Sequence, residues 1–163
     1  MIALAALAVT IWQLSVQRRF NKLSIKPYLN LKHIWDAKGK SRSVHIINSG
    51  LGPAFITNIT FKHNNENIPF STIDDIVELA DSILGSGFYS SGEVVDNNNV
   101  IEKNQKITFL TLSFHEQHDY NNARNSIFQF LKESELTIKY SSIYGQECEL
   151  KTHLYGKSDH RIA

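Results

Sequence analysis

From Ile2 to Val16 apolar residues follow one another, interrupted only by Thr10, Gln13 and Ser15, and the run closes on Gln17-Arg18-Arg19. Alanines between the larger side chains suit a helix, because they lose no rotamer freedom in it. The run Met1 to Gln17 therefore predicts a transmembrane anchor. At about 1.5 Å per residue its seventeen residues reach roughly 25 Å, somewhat short of a hydrocarbon core of about 30 Å. The positive charges Arg18, Arg19, Lys22 and Lys26 follow the run instead of preceding it, the reverse of a secretory signal. The positive-inside rule then places the amino terminus outside and everything after Gln17 in the cytoplasm, with residues 18–26 as a basic neck at the membrane interface. Ala6, Thr10, Gln13 and Gln17 share one narrow helical seam, the pattern of a face turned to another helix. A buried core helix is the alternative for a run of this length.

Beyond the neck the period drops to two. Alternation over Lys26 to Ile34 predicts a strand begun by Pro27, and Asp36 to Ser41 a turn. Ser43 to Asn48 and Ala54 to His63 predict two more strands, the second carrying Phe55, Ile56, Ile59 and Phe61. Between them lies Asn48-Ser49-Gly50-Leu51-Gly52-Pro53-Ala54, where Pro53 withholds a donor and forces the chain out of the ladder. Its plain reading is a bulge or crossover. Its functional reading is a nest in which the N–H groups of Gly50, Leu51 and Gly52 cradle an anion. No helix with a phosphate-loop lysine follows.

The order of apolar helix, Arg18-Arg19-Phe20-Asn21-Lys22-Leu23-Ser24-Ile25-Lys26-Pro27, strand and Asn48-Ser49-Gly50-Leu51-Gly52-Pro53-Ala54 resembles a group of small, uncharacterised bacterial membrane-anchored proteins. The resemblance covers about the first third of the chain. It implies a bacterial inner-membrane setting and supplies no site residues.

Helical spacing returns in Ser71 to Leu84, with Ile73, Ile76, Val77, Ala80, Ile83 and Leu84 on one face and Ser71 and Asp74 as an approximate capping box. Gly85-Ser86-Gly87 ends it, and the segments Gly85 to Gly92 and Asn97 to Asn99 read as mobile loops. Lys106 to Phe114 predicts a strand, and Asn122 to Lys132 a second amphipathic helix. Between them His115-Glu116-Gln117-His118-Asp119 is the single tempting chemical motif. A zincin places two histidines at i and i+4 on one helical face, whereas these stand at i and i+3 in a connector. His115, His118 and Asp119 are thus candidate metal ligands, set against a polar loop in which Asp119 caps the helix. Glu135 to Ser142 and Gln146 to Tyr155 form a hairpin with Cys148 on the apolar face. The tail 157–163 is polar and expected to fray.

One cysteine excludes an internal disulfide, and a net charge of +1 argues against a dedicated nucleic-acid binder, the one basic cluster, Arg18 to Lys26, being read as the membrane-side neck. No cofactor motif and no catalytic set appears. Six strands and two helices after the anchor predict a mainly β domain over 27–156, an antiparallel immunoglobulin-like sandwich with two inserted helices, or alternatively a small β-barrel. The leading functional expectation is a non-catalytic, membrane-anchored cytoplasmic interaction or sensing domain, contacting lipid and either a protein partner or its own copies through the anchor. The second is a ligand-gated membrane effector, of the kind used in antiviral defence, whose β-domain binds a small anionic signal. The third is a metal-dependent hydrolase built on His115, Glu116 and His118.

Overall fold

A computed structural model of the chain describes residues 2–36, 38, 40–93, 95–96, 98–115, 119–155 and 159–162. The chain is mainly β, with more residues in strands than in helices. After a first helix, α1 (Ile2–Ser24), come β1 (Leu29–Asp36), β2 (Ser41–Asn48), β3 (Ala54–His63), β4 (Glu66–Ile68), α2 (Ile73–Leu84), β5 (Phe88–Ser91), β6 (Val100–Ile101), β7 (Lys106–Phe114), α3 (Tyr120–Glu133), β8 (Ser134–Ser141), β9 (Glu147–His153) and β10 (Asp159–Ile162). The strands form two antiparallel sheets, one ordered β1-β2-β7-β5 and the other β10-β9-β8-β3-β4 with β6 paired to β3.

Where the apolar period stumbles, the sheets carry bulges. The apolar positions Ile107 and Phe109 change phase to Leu110 and Leu112, and the β2–β7 register shifts between Val44 and His45, so that Phe109 and Leu110 are both fully buried. In β3 the step from Ile56 to Ile59 crosses the shift between Ile56 and Asn58. An extra residue reverses the side-chain phase, which is how both halves of each strand keep their apolar set inward.

Two expectations are corrected. The anchored immunoglobulin-like sandwich is not confirmed: among the described residues the three helices match the expected number, but none is a transmembrane anchor, and α3 is part of the core, burying Ala123, Ile127, Phe130 and Leu131 and packing on α2, β8 and β9. Nor is the barrel seen, since the strands fall into two separate sheets. Among the described residues no helix is long and apolar enough to cross a membrane, which overturns the single-pass inner-membrane assignment. The physical reason lies in α1 itself, which is long enough but runs unbroken through Arg18, Arg19 and Lys22, while Thr10, Gln13, Ser15 and Gln17 dilute the rest. Anchor and most of the neck, as far as Ser24, are therefore one helix.

Smaller differences concern short segments. Phe88–Ser91, read as part of a mobile loop, is strand β5 on β7, and Asp159–Ile162 in the tail pairs with β9. The α2 cap sits one residue later than expected, with Asp75 Oδ2 accepting from the N–H groups of Ser71 and Thr72.

Candidate functional site

The glycine-rich linker is organised by a side chain that sequence reading treated as its first residue. Asn48 is fully buried at the end of β2. Its Oδ1 accepts from the N–H groups of Tyr28 (3.1 Å) and Gly50 (3.0 Å), and its Nδ2 donates to the carbonyls of Gly52 (2.8 Å) and Ile101 (2.9 Å). Leu51 N–H donates to Lys26 O at 3.0 Å. Two of the three expected anion donors, Gly50 and Leu51, are thus already bonded within the chain. Glycine is required here by close approach: a Cβ at Gly50 would meet the backbone of Lys26 and Tyr28, and one at Gly52 the carbonyl of Ile25.

The other expected residues scatter. Asp119 caps α3, its Oδ1 accepting from Asn122 N–H at 2.9 Å, and His115 is exposed beside the Tyr89 ring. Glu116 and His118 lie outside the described residues, and among the described ones no three metal-ligating side chains converge. Arg18 and Arg19 line an open cleft of about 590 Å³ with Ser15, Asn21 and Tyr144. Lys26 is half-buried in the linker junction, and Lys22 falls within α1. Along the seam Ala6, Thr10, Gln13 and Gln17 are all exposed, and the Thr10 hydroxyl donates to Ala6 O at 2.9 Å, within its own helix. Cys148 is 4% exposed, and burial pushes its thiol up from the ordinary value.

Two constellations are assembled only by the fold. His63 Nδ1 lies 3.1 Å from Ser134 Oγ, with Glu133 Oε2 3.9 Å from Nε2 and the imidazole stacked on Phe130. The residue types are those of a hydrolytic triad, but the geometry is structural. Ser134 is fully buried and its hydroxyl donates to Phe130 O at 2.8 Å, so it has neither access to a substrate nor a proton for the histidine to take. Burial holds the His63 pKa below its usual value, against the opposing charge of Glu133.

The second is an aromatic ledge with two guanidinium groups. Trp35 faces Arg42 across the β1–β2 pair, stacks on Phe128 (6.0 Å) and donates its Nε1–H to the Tyr120 hydroxyl at 3.1 Å. Arg42 Cζ lies 4.8 Å from the Phe128 ring and 4.9 Å from that of Tyr155, and Arg124 Cζ lies 4.9 Å from Phe128 and 5.7 Å from Trp35. Arg42 is only 8% exposed. Burial lowers its pKa, the Tyr155 hydroxyl opposes this, and the charge of Arg124 adds to it. The Trp35–Arg42 pairing follows from the hairpin register; the arrival of Phe128 and Tyr155 depends on how α3 and the end of β9 dock.

Fold and site together define a β-rich domain of two antiparallel sheets with helices in its core and no assembled catalytic centre among the described residues. The chain belongs to the family described as "Domain of unknown function (DUF8453)", whose model matches residues 1–157. No curated protein and no solved structure matches it.

Proposed function

We propose that the chain is a non-catalytic interaction or sensing domain in which α1 is the docking element, and that its partner is a second copy of the chain. One observation carries the reading: from Ala6 to Asn21 every side chain of α1 is exposed, including Leu7, Val9, Ile11, Trp12, Leu14 and Val16 at about half their area or more. An isolated helix of this kind is marginal in water, and its stability in a protein comes from burying an apolar face. Among the described residues nothing in the two sheets covers it. The family match extends over α1 as well as the body, which supports treating the helix as part of the domain's working unit. Self-association is favoured because apolar residues are spread around the helix and Ala6 and Thr10 allow close approach of an identical helix. The absence of a described metal cluster or usable nucleophile gives the hydrolase reading no support, and the bonded N–H groups of Gly50 and Leu51 give none to an anion site in the linker.

Sedimentation of the full chain and of the L7E/I11E/L14E variant tests this. The parent is expected to sediment as a concentration-dependent oligomer and the variant as a folded monomer with an unchanged near-ultraviolet dichroism spectrum. A parent that stays monomeric at tens of micromolar while binding neutral lipid vesicles would overturn the assignment of the partner.

A further inference from the structure

We propose that Arg42 and Arg124 form a binding site for the phosphate group of a small molecule, at the hairpin end of the sheet that contains β1 and β2. The site is on the body and stands independently of helix association.

Three observations converge on it. Arg42 is more than nine-tenths buried on the inner side of β2, and its Nε has no hydrogen-bond partner. Among the described residues no carboxylate pairs with it, the ion pairs being His63–Glu133 and Lys151–Glu135. Its ring contacts do not replace a partner. The Phe128 and Tyr155 centroids are 5.3 Å apart, while Arg42 Cζ is 4.8 and 4.9 Å from them, a nearly equilateral triangle. Both rings therefore sit to one side of the guanidinium, and neither can accept its in-plane N–H donors in the manner of an oxyanion. A cation–π contact returns only a fraction of what desolvating a guanidinium costs.

A second cation, Arg124, reaches the same Phe128 ring from α3. Like charges placed on one ring disfavour each other unless an anion lies between them. His33, on the same side of β1 as Trp35, also buries both ring nitrogens without partners, and Arg42 is the first charged neighbour acting on it. The neutral imidazole has one N–H to give.

The charge count selects the ligand. A carboxylate neutralises one guanidinium, whereas a phosphate monoester carries a charge of about −1.5 to −2 and three acceptor oxygens, enough for two arginine forks. The exposed Tyr155 and the half-buried Trp35 beside the arginines leave apolar ring surface for the rest of such a molecule.

The test uses the full chain with Trp12→Phe, which leaves Trp35 as the single tryptophan. Sodium phosphate is titrated against sodium acetate and sodium chloride at matched ionic strength, reading Trp35 fluorescence and the thermal midpoint. Phosphate is expected to give a saturable fluorescence change in the millimolar range and a rise in midpoint, acetate and chloride neither. Arg42→Met should abolish both responses and start from a midpoint at or above the parent's, because a buried charge with no carboxylate partner among the described residues has been removed. Arg124→Gln, at an exposed position, should weaken phosphate binding about tenfold and leave the fold intact. A flat phosphate titration, an equal response to acetate, a response retained in Arg42→Met, or an unchanged affinity in Arg124→Gln would each overturn the proposal.

Discussion

Replacing Asn48 by leucine tests whether the Gly50–Gly52 linker is held by a single buried amide. Leucine has the same branching and number of side-chain heavy atoms but bulkier methyl ends, so the substitution removes hydrogen bonds without opening a cavity, and any overpacking adds to the loss. Four groups lose a partner: the N–H groups of Tyr28 and Gly50 and the carbonyls of Gly52 and Ile101. The bond to Tyr28 is only partly buried and water can replace it, but the other three are buried. An unsatisfied buried polar group costs about 1–3 kcal/mol, so three of them give a loss of roughly 4 kcal/mol after some local relaxation. With a urea slope of about 2 kcal/mol per molar, the unfolding midpoint should fall by about 2 M at unchanged slope. Asn48→Asp adds a sign. It keeps both accepted bonds but turns an oxygen toward two carbonyls, which raises the folded-state pKa of the new carboxyl above its unfolded value. The stability of that variant should therefore be greatest at acid pH and be lost as pH rises through the folded pKa. If Asn48→Leu moves the midpoint by less than about 0.5 M, the linker is held by something else and the argument fails.

Two further outcomes follow from buried titratable groups. His33, His45 and His63 all have pKa values lowered chiefly by burial. As pH falls below about 6.5 the unfolded state takes up protons first, so urea midpoints should fall steadily from pH 7 to pH 5, with a shallower slope in His63→Gln; a midpoint that is flat or rises over this window would refute the assignment. Cys148, buried and with its thiol pKa raised, should react with a thiol reagent at pH 8 at least about a hundredfold more slowly than in denaturing urea, and equal rates would show that the β8–β9 hairpin is open.

The long elements were legible because their periods are long enough to count. The strands expected over 26–34, 43–48, 54–63 and 106–114, the β8–β9 hairpin, both body helices, the Asp119 cap and the inward Cys148 all follow from spacing and turn residues, although the first hairpin is tighter than expected, β1 reaching Asp36 and β2 starting at Ser41. The strands β4, β5, β6 and β10 were not, since two to four residues carry no recognisable alternation and form only because a longer neighbour offers its free edge. The anchor was misread for a related reason. A hydrophobic run was cut at Gln17, where composition changes, but hydrogen bonding along a helix does not stop at a change of polarity, and α1 continues to Ser24.

By itself the sequence determined which residues turn inward, where the chain must turn, and that one helix is apolar beyond the needs of the fold; these are local properties, set by side-chain period and backbone preference within a few residues. Tertiary structure alone decided which side chains became neighbours. Asn48 meets Ile101, Ser134 meets His63, and Arg42 meets Phe128 and Tyr155 across sequence separations that no period encodes. Burial then set their chemistry, favouring the neutral form of a histidine that looks catalytic and leaving an arginine without a counter-ion among the described residues. A residue's capacity to bind depends on which donors the folded chain has already used, and that is fixed only when the sheets and α3 have closed on one another.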